Sequence, residues 1–218
     1  MRRAAAGIAA MAALFVSVAS TDAEAHPHVW IEINATLVLD GNGAVTAVST
    51  DWTFDEFYSA WAIDGLDTNK NGTYEPEELK VLAIDNVTNL KAYSYFTYAR
   101  TGETDVTFGD VTEYSMSYSG TQLTLHMTLP FTAAIDARMT PLSVAIYDPT
   151  FYIAMQFPEG AKAGVSGTVP PGCESAIVLP DATASGVMVP DNMMTLPEYR
   201  NYGARFAEKI EMRCKSSS

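Results

Sequence analysis

The residues best suited to chemistry fall into two groups, and the first is Asp67-Thr68-Asn69-Lys70-Asn71-Gly72-Thr73-Tyr74-Glu75-Pro76-Glu77-Glu78. A hard cation such as Ca²⁺ takes six to eight oxygen ligands, and the twelve-residue EF-hand loop supplies them from alternate positions. Asp67, Asn69 and Asn71 offer side-chain oxygens at that spacing. Thr73 offers its backbone carbonyl, Glu75 can act through water, and Glu78 closes the shell as a bidentate carboxylate. Gly72 stands where the loop must bend. Asparagine in two aspartate positions lowers the site charge, and Tyr74 occupies the place where an aliphatic residue usually meets a sister loop. The competing reading is a metal-free turn held by Asx hydrogen bonds. Because every key position is filled, the sequence favours calcium, held at roughly 10⁻⁴ to 10⁻³ M and in a structural role.

The second group is the three histidines of the chain. His26 and His28 share strand parity, so an extended backbone turns both to one face. His126 lies in Leu123 to Leu129, where Leu123, Leu125, Met127 and Leu129 alternate inward and leave the imidazole on the polar side. Three imidazoles suit one divalent transition metal: nickel, cobalt, zinc or copper. A free amino terminus at His26 would add a chelating amine, the brace that supports copper oxidative chemistry. The competing reading is a frayed terminus and a solitary surface residue. Asp148 adds an oxygen beside the set or starts an Asp-Pro turn. Met188, Met193 and Met194 are soft copper ligands or irregular packing.

The elements that must position these residues are mostly strands. Val29, Ile31 and Ile33 alternate with polar neighbours, Asp40-Gly41-Asn42-Gly43 signals a hairpin, and Ala44 to Trp52 returns. The period then changes: Phe54, Phe57, Tyr58 and Trp61 are spaced as a helix, and a second helix runs from Pro76 to about Ala92. Strand texture resumes at Tyr93 to Arg100, Val106 to Phe108, Val111 to Tyr118, Leu123 to Leu129, Leu142 to Tyr147, Phe151 to Phe157, Val165 to Val169 and Ala176 to Leu179. A short helix near Glu198 to Arg205 and a last strand before Cys214 follow. The expected fold is α+β, mainly β: an antiparallel sandwich-like body with an EF-hand-like helix-loop-helix inserted at about 54–92.

Residues 1–25 read as a secretory leader, with Arg2 and Arg3, an apolar run from Ile8 to Ala19, and cleavage after Ala25 or Ala19. The run is short for a membrane span. A single periplasmic domain over 26–218 is expected, not itself membrane-spanning. In that oxidising compartment Cys173 and Cys214, the only cysteines, are expected to bond to each other. A net charge of −13 argues against nucleic acid as a partner and for cations.

His26-Pro27-His28-Val29-Trp30-Ile31, Trp52 to Tyr58, Leu66 to Asn69, Tyr95 to Tyr98, Leu123 to Pro130 and Tyr147-Asp148-Pro149-Thr150 resemble a family of bacterial periplasmic proteins. That family is described as the periplasmic component of a transport system and is often encoded near nickel/cobalt permeases. The resemblance implies a partner, an inner-membrane metal permease or an ABC transporter, but supplies no ligand set. The leading expectation is therefore a periplasmic metal-binding accessory or chaperone for nickel, cobalt or zinc, carrying one calcium loop. The alternatives are a calcium-stabilised structural or adhesion module and, further off, a copper histidine-brace enzyme. No Ser-His-Asp, Cys-His or glycosidase-like motif stands out along the chain, so the expectation is that the protein is not an enzyme.

Overall fold

Alternation places every second side chain of the first strand inward, and Ile31, Ile33 and Leu37 are all but fully buried. The computed structural model describes residues 27–180 and 196–215. The expected leader, His26 and the three methionines of the Met-bearing segment lie outside the described residues. Strand β1 (Val29–Leu39) turns back into β2 (Val45–Phe54). Asp40 makes the turn, its carboxylate accepting from the Asn42 and Ala44 amides at 2.9 Å each.

Two α-helices follow among the described residues, α1 (Glu56–Ala62) and α2 (Pro76–Leu90). Strands β3 (Thr97–Thr101), β4 (Thr104–Val106), β5 (Glu113–Ser119) and β6 (Gln122–Ile135) come next. They are followed by β7 (Leu142–Ile146), β8 (Ile153–Gln156), β9 (Gly164–Ser166), β10 (Cys173–Val178) and β11 (Lys209–Cys214). One sheet has the order β5-β6-β2-β1-β8, with β9 also on β1, and the other has the order β10-β11-β7-β3-β4. Trp52, Leu125 and Leu129 of the first sheet and Val144, Ile146, Ile210 and Met212 of the second join one buried cluster. Fully burying one such side chain contributes about 1.5–3 kcal/mol. The mainly-β, α+β expectation holds.

Four details differ from the sequence reading. The first sheet is mixed: β8 and β9 both run parallel to β1. Parallel neighbours need long connections, which local turn signals do not announce. The strand expected from Tyr93 begins only at Thr97, because Ser94, Tyr95 and Phe96 adopt φ of 54°, 52° and 46°. This left-handed turn, costly for bulky residues, buries the Tyr95 ring, and the Thr97 hydroxyl donates to the Tyr95 carbonyl at 2.8 Å.

The apolar spacing before the loop is not a core stripe. Phe54 ends β2 and is buried, whereas Phe57 and Trp61 on α1 are 85% and 71% exposed. Asp55 caps α1 by accepting from the Tyr58 amide at 2.9 Å, and only the Tyr58 ring stacks back on Phe54. The short helix expected at Glu198 to Arg205 is two 3₁₀ turns, Pro197–Tyr199 and Tyr202–Arg205. Gly203 there donates to the Pro149 carbonyl at 2.9 Å. A Cβ at Gly203 would sit 1.8 Å from the Asp148 carbonyl oxygen, so only glycine permits this approach.

Candidate metal centre

The loop Asp67 to Glu78 follows α1 and runs into α2, and its side-chain oxygens accept from the loop's own backbone amides. Lys70 and Gly72 take φ of 60° and 81°, which curls the chain around the side chains of Asp67, Asn69 and Asn71. The Asp67 carboxylate accepts from the Asn71 amide at 3.1 Å and the Gly72 amide at 3.0 Å. Asn69 Oδ1 accepts from the Asn71 amide at 3.0 Å, and Asn71 Oδ1 from the Thr73 amide at 2.7 Å. Glu78 reaches back across the loop, its Oε1 accepting from the Thr68 amide at 2.7 Å and the Thr68 hydroxyl at 2.8 Å. The first and last expected ligands are thus brought to the same end of the loop. Glu75 accepts from the Asn69 and Asn71 side-chain amides, at 3.2 Å and 2.7 Å.

Glu78 also works for the helix. As the third residue of α2 it accepts from the Glu75 amide, while the Glu75 side chain accepts in return, a reciprocal cap. Hydrogen bonds, first among them that from the Thr68 hydroxyl, hold its carboxyl at about 2, below the ordinary 4.5. A carboxylate whose folded value is depressed stabilises the fold above its unfolded value and loses that contribution as pH falls through the folded one. In calcium-free buffer the melting-temperature gap between the protein and Glu78→Gln should be constant above pH 4.5 and close between 4.5 and about 2. A gap that persists at pH 2 would show that Glu78 acts by packing.

Tyr74 explains how the loop stands alone. Its ring meets Tyr118 of β5 edge-on at 5.0 Å, so the sheet takes the place of a sister loop. The entering helix departs from the EF-hand pattern. α1 ends at Ala62, and a turn through Gly65, with φ of 78°, intervenes before Asp67. Among the described residues no three His, Cys, Asp or Glu side chains form a metal shell. The loop's donor set has only two carboxylates, Asp67 and Glu78, among its five expected ligands; the others are amide and carbonyl oxygens.

The histidines are not brought together. His28, just before β1, donates its amide to the Tyr152 carbonyl at 2.8 Å and lays its ring 4.7 Å from that of Tyr152. His126 is paired in register with Asp51 of β2, which is paired with Asn34 of β1. His28 and Asn34 share the outer face, but the six-residue step between them spans roughly 20 Å at about 3.3 Å per residue. One ion cannot bridge that distance, so a joint site of His28 and His126 is corrected; His26 lies outside the described residues. Asp148 is buried and committed to a turn, accepting from the Thr150 amide at 2.8 Å and the Ile153 amide at 3.0 Å.

What His126 does touch was not anticipated. Its Nδ1 lies 2.7 Å from Asp51 Oδ1, and its Nε2 lies 2.8 Å from Ser117 Oγ. Alternation marks both residues as outward-facing, but nothing local reveals that their strands flank β6. A cavity of 570 Å³ between Lys91, Tyr95, Tyr98, Phe108 and Asp110 contains none of the residues singled out in the sequence for chemistry. Cys173 and Cys214 are bonded to each other.

Residues 11–214 match the family described as "Protein of unknown function (DUF1007)". The chain is 33% identical over 102 residues to the "Uncharacterized 15.5 kDa protein in trpE 3'region" of Spirochaeta aurantia, covering 47% of this chain and 72% of that protein. It is 26% identical over 199 residues to an "Uncharacterized protein" of Haemophilus influenzae, covering 88% of this chain and 92% of that one.

Proposed function

We propose, for a chain that belongs to the DUF1007 family, that it is an exported binding protein whose loop Asp67 to Glu78 holds one structural Ca²⁺. The observation that carries this reading is the return of Glu78 onto Thr68, beside Asp67. It gathers the carboxylates of both loop ends where Asn69, Asn71 and the Thr73 carbonyl can complete an oxygen shell. The ion is structural because the second half of the loop is anchored, by Tyr74 on Tyr118 and by the cap of α2, and Glu78 ties the first half to it through Thr68.

An accessory role beside an inner-membrane permease or ABC transporter for nickel, cobalt or zinc is part of the proposal, supported by the resemblance alone. Among the described residues no helix is long and apolar enough to cross a membrane, which fits a partner that supplies the span. With His126 engaged elsewhere, a transition-metal cargo falls to the terminal pair His26 and His28.

Calorimetric titration of the exported protein tests both parts. One Ca²⁺ per chain should bind at roughly 10⁻⁴ to 10⁻³ M. Ni²⁺ or Zn²⁺ should bind in a manner lost in the His26→Ala/His28→Ala variant and retained in His126→Ala. No heat with calcium removes the first part, and nickel binding that needs His126 removes the second.

A further inference from the structure

Ser117, His126 and Asp51 make one hydrogen-bonded line across three adjacent strands, β5, β6 and β2. An ionised carboxylate only accepts, so the Asp51 contact assigns the proton of a neutral imidazole to Nδ1. Nε2 is then the acceptor, and the Ser117 hydroxyl donates to it at 2.8 Å. Hydroxyl, imidazole and carboxylate in that order are the arrangement that activates a serine, whatever the order of the three along the chain. We propose that Ser117 is a nucleophilic serine and that the outer face of the first sheet hydrolyses small acyl esters.

Two further observations support the assignment. Thr124 is the cross-strand partner of Ser117, and its Oγ1 lies 3.1 Å from Thr53 Oγ1. With Thr53 donating to Thr124, the Thr124 hydroxyl keeps its own hydrogen free to donate beside the nucleophile, where an oxyanion develops. The line is also rigidly mounted. The inward neighbours Trp52, Met116, Leu125 and Met127 are all buried, so the strands that bear the three side chains cannot shift independently. The His126 and Asp51 side chains are 38% and 48% exposed, so a small ester reaches them from solvent.

In the reaction Ser117 Oγ bonds to the carbonyl carbon while its proton passes to His126 Nε2. The C–O bond to the alcohol then breaks, and the alcohol leaves with that proton. Water attacks the acyl-serine and gives a proton to Nε2; Ser117 recovers it as the carboxylic acid departs. Asp51 keeps Nδ1–H in place and positions the imidazole throughout.

The full chain, treated with a fluorophosphonate, should gain one phosphonyl adduct as the reagent releases fluoride and Ser117 its hydroxyl proton, with the adduct mapped by peptide mass to Ser117. Ser117→Ala should take up none. His126→Gln should slow labelling about a hundredfold or more, the usual contribution of a general base. Asp51→Asn, which keeps the shape and misorients the tautomer, is the second variant if His126→Gln fails to fold. Hydrolysis of 4-nitrophenyl acetate should fall in parallel, and Thr124→Val should lower it about tenfold or more. Labelling should be the same in calcium and in chelator, so the outcome is separate from the fate of the calcium loop. No adduct, an adduct on another serine, or unchanged labelling in folded His126→Gln or Asp51→Asn overturns the proposal.

Discussion

Replacing both cysteines, as Cys173→Ser/Cys214→Ser, should lower the melting temperature by about 8–16 °C. The bond joins residues 41 apart in sequence. Closing a loop of that length removes conformational freedom from the unfolded chain worth about 4 kcal/mol. In a chain of this size each kcal/mol corresponds to about 2–4 °C. The folded state brings the two sulfurs together because Cys173 and Cys214 are register partners on β10 and β11. β10 is an edge strand, held to its sheet by β11 alone. Without the bond this edge relies on its ladder hydrogen bonds and on half-buried side chains such as Ile177. Scanning calorimetry of the double variant beside the oxidised parent measures the shift. A change of less than about 2 °C would mean that the unfolded chain is already compact between the two positions.

What could be read in the sequence divides by range. The chain reversal within Asp67 to Glu78 was legible because its logic is local: the twelve positions are contiguous, and the turn at Gly72 follows from their spacing. The hairpin at Asp40 to Gly43 was legible for the same reason. Parity correctly put His28 and His126 on the outer face of one sheet, but parity says nothing about position along a strand. That depends on register, and register between β1, β2 and β6 is a product of the whole core. The same blindness hid Ser117 and Asp51, since Asp51 meets His126 only because β2 and β6 are neighbours across 75 residues of sequence. The turn at Ser94 to Phe96 was missed for a different reason. Its aromatic residues favour a strand by propensity, and burial of Tyr95 outweighs the cost of a left-handed backbone.

Calcium at about 10 mM should raise the melting temperature by about 3–10 °C, and Glu78→Gln should abolish that rise. A ligand that binds only the folded state stabilises it by RT ln(1 + [L]/Kd). With Kd of roughly 10⁻⁴ to 10⁻³ M, 10 mM calcium contributes about 1.4–2.7 kcal/mol. At about 2–4 °C per kcal/mol this gives the expected rise. Glu78 is the decisive position because it stands at the twelfth place, where the EF-hand pattern uses a bidentate carboxylate, and its return to Thr68 closes the loop. Gln keeps the size and one oxygen but removes the charge and the second acceptor. The variant should also melt slightly lower without calcium, because the reciprocal cap with Glu75 and the Thr68 contacts are weakened. The cap acts whether or not metal is present. The signature is therefore the difference between the two conditions: the parent gains with calcium and the variant does not. Equal gains in both proteins would place the calcium elsewhere, and no gain in either would leave the loop as a turn held by its own hydrogen bonds.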